Sequence, residues 1–135
     1  MARTEASIHP NEELVRSAHA AFDRADLETI KRIFDPDIHW HLPGRSPFAG
    51  DYKGADEVLG MFGRVLQFHG GILRNTFHDV LANDDHAIIW GTRTGEANGK
   101  KLNVRFVHIQ RIREGRIVES WMFTDDQYAV DDFYS

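Results

Sequence analysis

The side chains of this chain that can move protons fall in a few places. The run Asp37-Ile38-His39-Trp40-His41-Leu42-Pro43-Gly44 has the alternation of a short strand and ends on a Pro-Gly breaker. On such a strand His39 and His41 share one face, while Ile38, Trp40 and Leu42 share the other. A later run, Lys100 to Ile112, alternates so that Val104, Phe106 and His108 lie together. Imidazole titrates near ~6.5, so two rings in one pocket can divide the roles of neutral base and charged acid. The pattern makes His41 the candidate base and His108 the candidate acid or oxyanion donor. The matching chemistry is proton removal beside a carbonyl, with the enolate held by hydrogen bonds. Asp126 follows the last strand pattern. It serves either as a further acid or as the N-cap of a final helix, and the cap is the preferred reading. The plainer alternative for both histidines is a structural one, each ring hydrogen-bonded to backbone or to a carboxylate.

His39, His41 and His108 are also an alternative metal set, because an i, i+2 pair on a strand brings two imidazoles together. Residues 42 to 50 contain no Asp or Glu to complete a His-x-His site. No metal and no cofactor is therefore assigned, and the absence of cysteine removes thiolate sites and disulfides. Trp40, Tyr52, Phe62, Trp90, Phe106 and Trp121, with His39, are the candidate lining of a pocket for a small hydrophobic molecule.

These residues must be positioned by elements that the pattern also marks. Leu14, Val15, Ala18, Ala21 and Phe22 recur at helical spacing after Pro10 or Asn11. Asp26 is a cap for a second helix, with Leu27, Ile30, Ile33 and Phe34 on one face, which stops before Pro36. The strand over 38–42 follows, and residues 43–53 read as loop. Residues 55–67 form a third helix, in which Gly60 and Gly63 suggest a close approach to the backbone. The rest is β: strands over 72–81, 86–96, 100–112 and 116–123, with an I′ turn at Asn98-Gly99. A short helix runs from Asp125 or Asp126 through Tyr134. Residues 1–9 are a polar arm. The order predicts one α+β domain over 1–135, a curved, mostly antiparallel sheet forming an open cone covered by helices.

Composition bounds the function. The chain has 135 residues, 41% hydrophobic and 27% charged, enough for one domain with a core. A net charge of −5 without a basic stripe argues against nucleic acid as a partner. No apolar run approaches the ~20 residues that span a membrane, and the N-terminus has no apolar leader, so a cytoplasmic location is expected.

Three stretches carry a resemblance. They are Phe34-Asp35-Pro36-Asp37 running into His39-Trp40-His41-Leu42-Pro43-Gly44, then Phe48-Ala49-Gly50-Asp51-Tyr52-Lys53-Gly54, and Arg111-Ile112-Arg113-Glu114-Gly115-Arg116-Ile117-Val118-Glu119-Ser120-Trp121. Together the chain over about 11–134 resembles the SnoaL-like group of the nuclear transport factor 2-like superfamily, with ketosteroid isomerases, polyketide cyclases and epoxide hydrolases. The resemblance implies a cone-shaped fold and a homodimer formed through the outer face of the sheet. It also implies cofactor-free isomerase, cyclase or dehydratase chemistry. By that likeness His41 stands where the isomerases place their carboxylate base. His108 stands where isomerases and cyclases place an Asp. Epoxide hydrolases need an Asp just after the strand-four Trp, but here Met122, Phe123 and Thr124 follow Trp121. The isomerase Tyr of the first helix is also missing. The alternative function is a non-catalytic binding or dimerisation module of the same fold.

Overall fold

The computed structural model describes residues 8–135. The expected arm over 1–9 therefore lies largely outside the described residues. Helix α1 (Pro10–Asp23) is capped by His9, whose Nδ1 accepts from the backbone N–H of Asn11. Helix α2 (Leu27–Ile33) starts at Asp26, whose carboxylate accepts from Thr29 N–H, as expected for a cap. The chain then passes directly into β1 (Phe34–Leu42), because Pro36 cannot continue a helix. The stretch read as loop contains a short strand, β2 (Gly50–Lys53). At four residues it is too short for a period-2 signal to show, and pairing with β1 is what makes it a strand. Helix α3 (Ala55–His69) is followed by β3 (Leu73–Ala82), β4 (His86–Ala97), β5 (Lys100–Arg113), β6 (Arg116–Thr124) and α4 (Gln127–Tyr134).

The strands form one six-stranded sheet in the order β2-β1-β6-β5-β4-β3. All pairs are antiparallel except β1 with β6, which run parallel. The β4–β5 hairpin turns on Asn98 and Gly99, both at positive φ (51° and 76°), as a I′ turn requires. Register shifts in β1–β6, β3–β4 and β5–β6 give the sheet local kinks that help it curl.

The helices lie on the concave face. Val15 and Ala21 of α1, Ile30 of α2, and Val58, Met61, Phe62 and Val65 of α3 pack against Ile38, Trp40, Ile89, Phe106 and Ile117 of the sheet. Burying an aliphatic or aromatic side chain of this size contributes about 1.5–3 kcal/mol each. A second cluster closes the other end of the cone, where Phe133 and Tyr134 of α4 meet Leu102 and Val104. There His69 links α3 to α4. Its Nδ1–H donates to the Ile72 carbonyl (3.2 Å), so its Nε2 accepts the Tyr134 hydroxyl (2.7 Å). Gly95 is needed beneath this ring, since a Cβ there would lie 2.8 Å from His69 Cε1. The close approach expected at Gly63 is not present: a Cβ there would meet open space.

Candidate functional site

The concave face encloses a cavity between α1, α3 and the sheet, with an empty volume of about 740 Å³ including its mouth. Its walls are apolar, and Trp40, Phe62 and Phe106 line it as expected. Five polar side chains interrupt them: His19, Asn75, Arg93, His108 and Gln110. A second cavity of about 560 Å³ lies toward α4 and the loop around Phe48. Leu42, Val65, Arg93, Phe106 and Met122 line both, so the interior is two-lobed with Arg93 at the waist.

His108 is buried on β5, where its strand-mates Phe106 and Gln110 also face inward. Its Nε2 forms a short hydrogen bond with the Ser120 hydroxyl, and Trp40 packs edge-on against its ring. Burial pushes its pKa down to about 3, and the charges of Arg93 and His19 add to the effect. His108 is therefore neutral throughout the physiological range.

His19 reaches the cavity from α1 and lies against Phe77, with ring centroids 4.0 Å apart. Its Nε2 is 3.4 Å from the Asn75 carbonyl and 3.5 Å from an Asp23 oxygen. Both partners only accept, so Nε2 carries the proton and Nδ1 keeps the lone pair when the ring is neutral. Burial lowers the His19 pKa, and Arg93 pushes the same way against the raising effect of Asp23 and Asn75. Arg93 donates through Nε to Asn75 Oδ1 at 2.7 Å. Among the described residues no carboxylate forms an ion pair with Arg93, and none lines the first cavity. Gln110 Oε1 is buried without a hydrogen-bond partner.

The remaining expected site residues lie elsewhere. His39 and His41 are on the convex face of the sheet, and the sheet separates them from His108. The strand alternation holds, but the apolar row Ile38, Trp40 and Leu42 takes the inner side, because only that row can be buried under α1 and α3 without unpaired polar atoms. On the outside His41 lies between two carboxylates. Its Nδ1 is 2.7 Å from Asp51 and its Nε2 2.8 Å from Glu119, and its ring stacks on Trp121. Burial alone would lower its pKa, but the bonds to Glu119 and Asp51 outweigh that and raise it. With both nitrogens donating to carboxylates, His41 is an imidazolium in an ionic triad, not a base facing the cavity. His39 stands beside it, ring centroids 4.3 Å apart. Ligating atoms of His39, His41 and Asp51 lie within 4.8 Å of one another.

Asp126 caps α4, accepting from Ala129 N–H, and is exposed. Tyr52 donates its hydroxyl to the Phe48 carbonyl and packs at the edge of the core. Trp90 is 52% exposed on the outer face against His78. Sequence reasoning passed over His19, Asn75 and Arg93. A lone histidine on an otherwise unremarkable α1 face gave no pairing signal. Alternation of Arg93 with its neighbours Gly91 and Gly95, both buried, was the one available clue.

With this geometry in place, comparison with known proteins assigns the family. A model of the SnoaL-like domain matches residues 15–120. The chain belongs to the SnoaL-like domain family. An uncharacterized protein of Mycobacterium tuberculosis (strain ATCC 25618 / H37Rv) is 33% identical over 125 residues, covering 91% of this chain and 95% of that relative. Bal32a, from a soil-derived mobile gene cassette, superposes with a TM-score of 0.89 at 35% identity, covering 93% of this chain and 97% of Bal32a. An NTF2-like protein of unknown function from Burkholderia pseudomallei K96243 gives 0.82 at 27% identity, over 95% and 99% of the two chains. The fold is thus the NTF2-like α+β cone expected from the sequence. IdmH of Streptomyces antibioticus, whose assignment as a polyketide cyclase is itself provisional, shares the fold at a TM-score of 0.74 and 22% identity, over 91% and 96% of the chains. Among the described residues no helix is long and apolar enough to cross a membrane.

Proposed function

We propose that the concave cavity of this SnoaL-like domain is the active site of a cofactor-free acid/base enzyme acting on a small hydrophobic carbonyl compound. The observation that carries this reading is Arg93. It is a guanidinium without a carboxylate partner among the described residues, set in an apolar cavity that it lines together with the neutral imidazoles of His19 and His108. A cation in such a place stabilises negative charge that develops on a carbonyl oxygen, and low local polarity strengthens the effect. His19 takes the base role, through Nδ1, and removes a proton from the carbon next to the carbonyl. Arg93 holds the resulting enolate. His108 stays neutral and serves as a hydrogen-bonding group set by Ser120, and Gln110 Oε1 accepts from a hydroxyl of the ligand. Isomerisation, cyclisation and dehydration all share this first step, and the family likeness to a cyclase-type fold fits it.

The test is solvent exchange. The protein is incubated with a panel of polycyclic ketones in D2O, and loss of the α-proton signals is followed by NMR. Exchange is expected for a ketone that binds, with a drop of about 10²- to 10⁴-fold in His19→Ala. Arg93→Gln lowers it by a similar factor. His41→Ala, on the other face, leaves the rate unchanged. A ketone that binds without any exchange overturns the catalytic reading. It would support the second reading, a non-catalytic small-ligand binder, which the lack of a carboxylate among the cavity-lining residues favours. A homodimer through the sheet belongs to the same proposal. The convex face carries a continuous apolar row, Leu81, Ile88, Ile109 and Trp121, across the cross-strand register, flanked by Trp90 and Phe123, each 52% exposed. Sedimentation equilibrium of wild type against Phe123→Asp checks it: the variant is expected to run at half the mass. A cytoplasmic location stays part of this reading.

A further inference from the structure

We propose that the convex end of the sheet holds a divalent transition-metal site made by His39, His41 and Asp51, with zinc as the fitting ion. One ligating atom from each lies within 4.8 Å of the others. Two imidazoles and one carboxylate are a common protein share of a tetrahedral zinc site, with the fourth position open to water. The strands fix the set. His39 and His41 are i, i+2 on β1, and Asp51 faces His41 directly across the antiparallel β1–β2 register. Two further features of the cluster point to a ligand. His39 Nε2 is buried without a hydrogen-bond partner, a cost that nothing among the described residues offsets. Glu119 holds His41 by Nε2 at 2.8 Å, which orients the ring and leaves Nδ1 as the donor, as a carboxylate behind a metal-bound imidazole does.

Binding replaces one contact with two. The His41 Nδ1···Asp51 Oδ1 hydrogen bond of 2.7 Å opens to roughly the 3.3 Å between ligands on ~2.0 Å bonds, and the ring proton leaves to solvent. Asp51 is exposed and His41 half-buried, so the open position reaches water. The site stands on the opposite side of the sheet from the two-lobed cavity and does not depend on the chemistry proposed there. It would tie the four-residue edge strand β2 to β1. That strand ends the loop whose Pro43, Ser46 and Phe48 wall the second lobe.

The experiment is a zinc titration of the untagged, EDTA-treated full chain by isothermal calorimetry. Co2+ visible absorption reports the coordination geometry, and the melting temperature is read with and without zinc. One zinc per chain and a zinc-dependent rise in melting temperature are expected. Asp51→Asn and His39→Ala should each weaken binding by more than about 100-fold. Glu119→Gln, one layer out, should weaken it by about 10- to 100-fold. His108→Ala should bind as wild type. No stoichiometric binding, or equal affinity in wild type and Asp51→Asn, overturns the proposal. Asp51 is exposed, so that variant keeps the fold and the result stands even if His39→Ala is unstable.

Discussion

The two faces of the sheet carry the same residue type to opposite ends of its chemistry. On the concave face His108 is enclosed by Trp40, Phe106 and the helices, with positive charge nearby, and its pKa falls to about 3. On the convex face His41 has a carboxylate at each nitrogen, and its pKa rises despite partial burial. Desolvation acts on both rings in the same direction. What differs is that His108 is far more deeply buried, with only positive charge near it, while His41 has two carboxylates within hydrogen-bonding reach. The inner face thus offers neutral donors and acceptors around the Arg93 guanidinium, while the outer face offers a fixed ionic cluster. A histidine therefore says little about its role until its face is known.

The comparison can be broken most severely by removing an aromatic from each side. Trp40→Ala, which empties a site 5% exposed and in contact with Phe34, Phe62 and His108, should cost about 3–5 kcal/mol in urea unfolding. Trp90→Ala, on the outer face, should change the unfolding free energy by no more than about 0.5 kcal/mol at concentrations where the chain is monomeric. Similar losses for the two would mean that the faces are not distinct in burial.

A subtler separation lies in pH. The folded His108 binds its proton only near pH 3, whereas the unfolded chain binds it near the ordinary 6.5. Between these values the unfolded state holds more protons, so stability falls as pH drops from about 6.5 toward 3, by up to about 1.4 kcal/mol per unit. His19 and His69 are lowered too, and they add in the same direction. Denaturant titrations across this window should show a shallower loss in His108→Gln than in wild type. An unchanged slope would mean that the ring is not held neutral.

Two smaller effects sharpen the inner face. Tyr134→Phe removes the donor to buried His69 Nε2 and should cost about 1–3 kcal/mol, with hydrogen exchange rising first in α4. A neutral result would make packing of Phe133 against the His69 ring the sufficient tie between α3 and α4. Gly63→Ala should stabilise by about 0.5–1 kcal/mol in the same assay, since a Cβ there meets nothing and the helix gains propensity.

The fold was legible because its signals are local. Leu14, Val15, Ala18 and Ala21 repeat at helical spacing, Asp26 precedes an apolar run, and Asn98-Gly99 allows the positive φ of its turn. Strand β2 was not legible, because four residues carry no period and its pairing comes from β1. The site was legible in half. Alternation on β5 brought His108 and Phe106 together on one face, and Trp40 and Phe62 were cavity candidates by their aromatic character alone. His41 was expected on the wrong side, since alternation gives two faces and does not say which one the helices cover. His19 and Arg93 meet through Asn75, from α1, β4 and β3, a junction that no spacing along the chain encodes.

By itself, then, the sequence determined the helices, the four long strands, the hairpin turns and an α+β cone, since caps, periodicity and turn residues act over a few positions of the chain. The tertiary structure alone decided which strand face became the cavity, which histidines lost their charge and which met carboxylates. Those outcomes depend on what elements distant in sequence bring within a few ångströms, where desolvation and charge act.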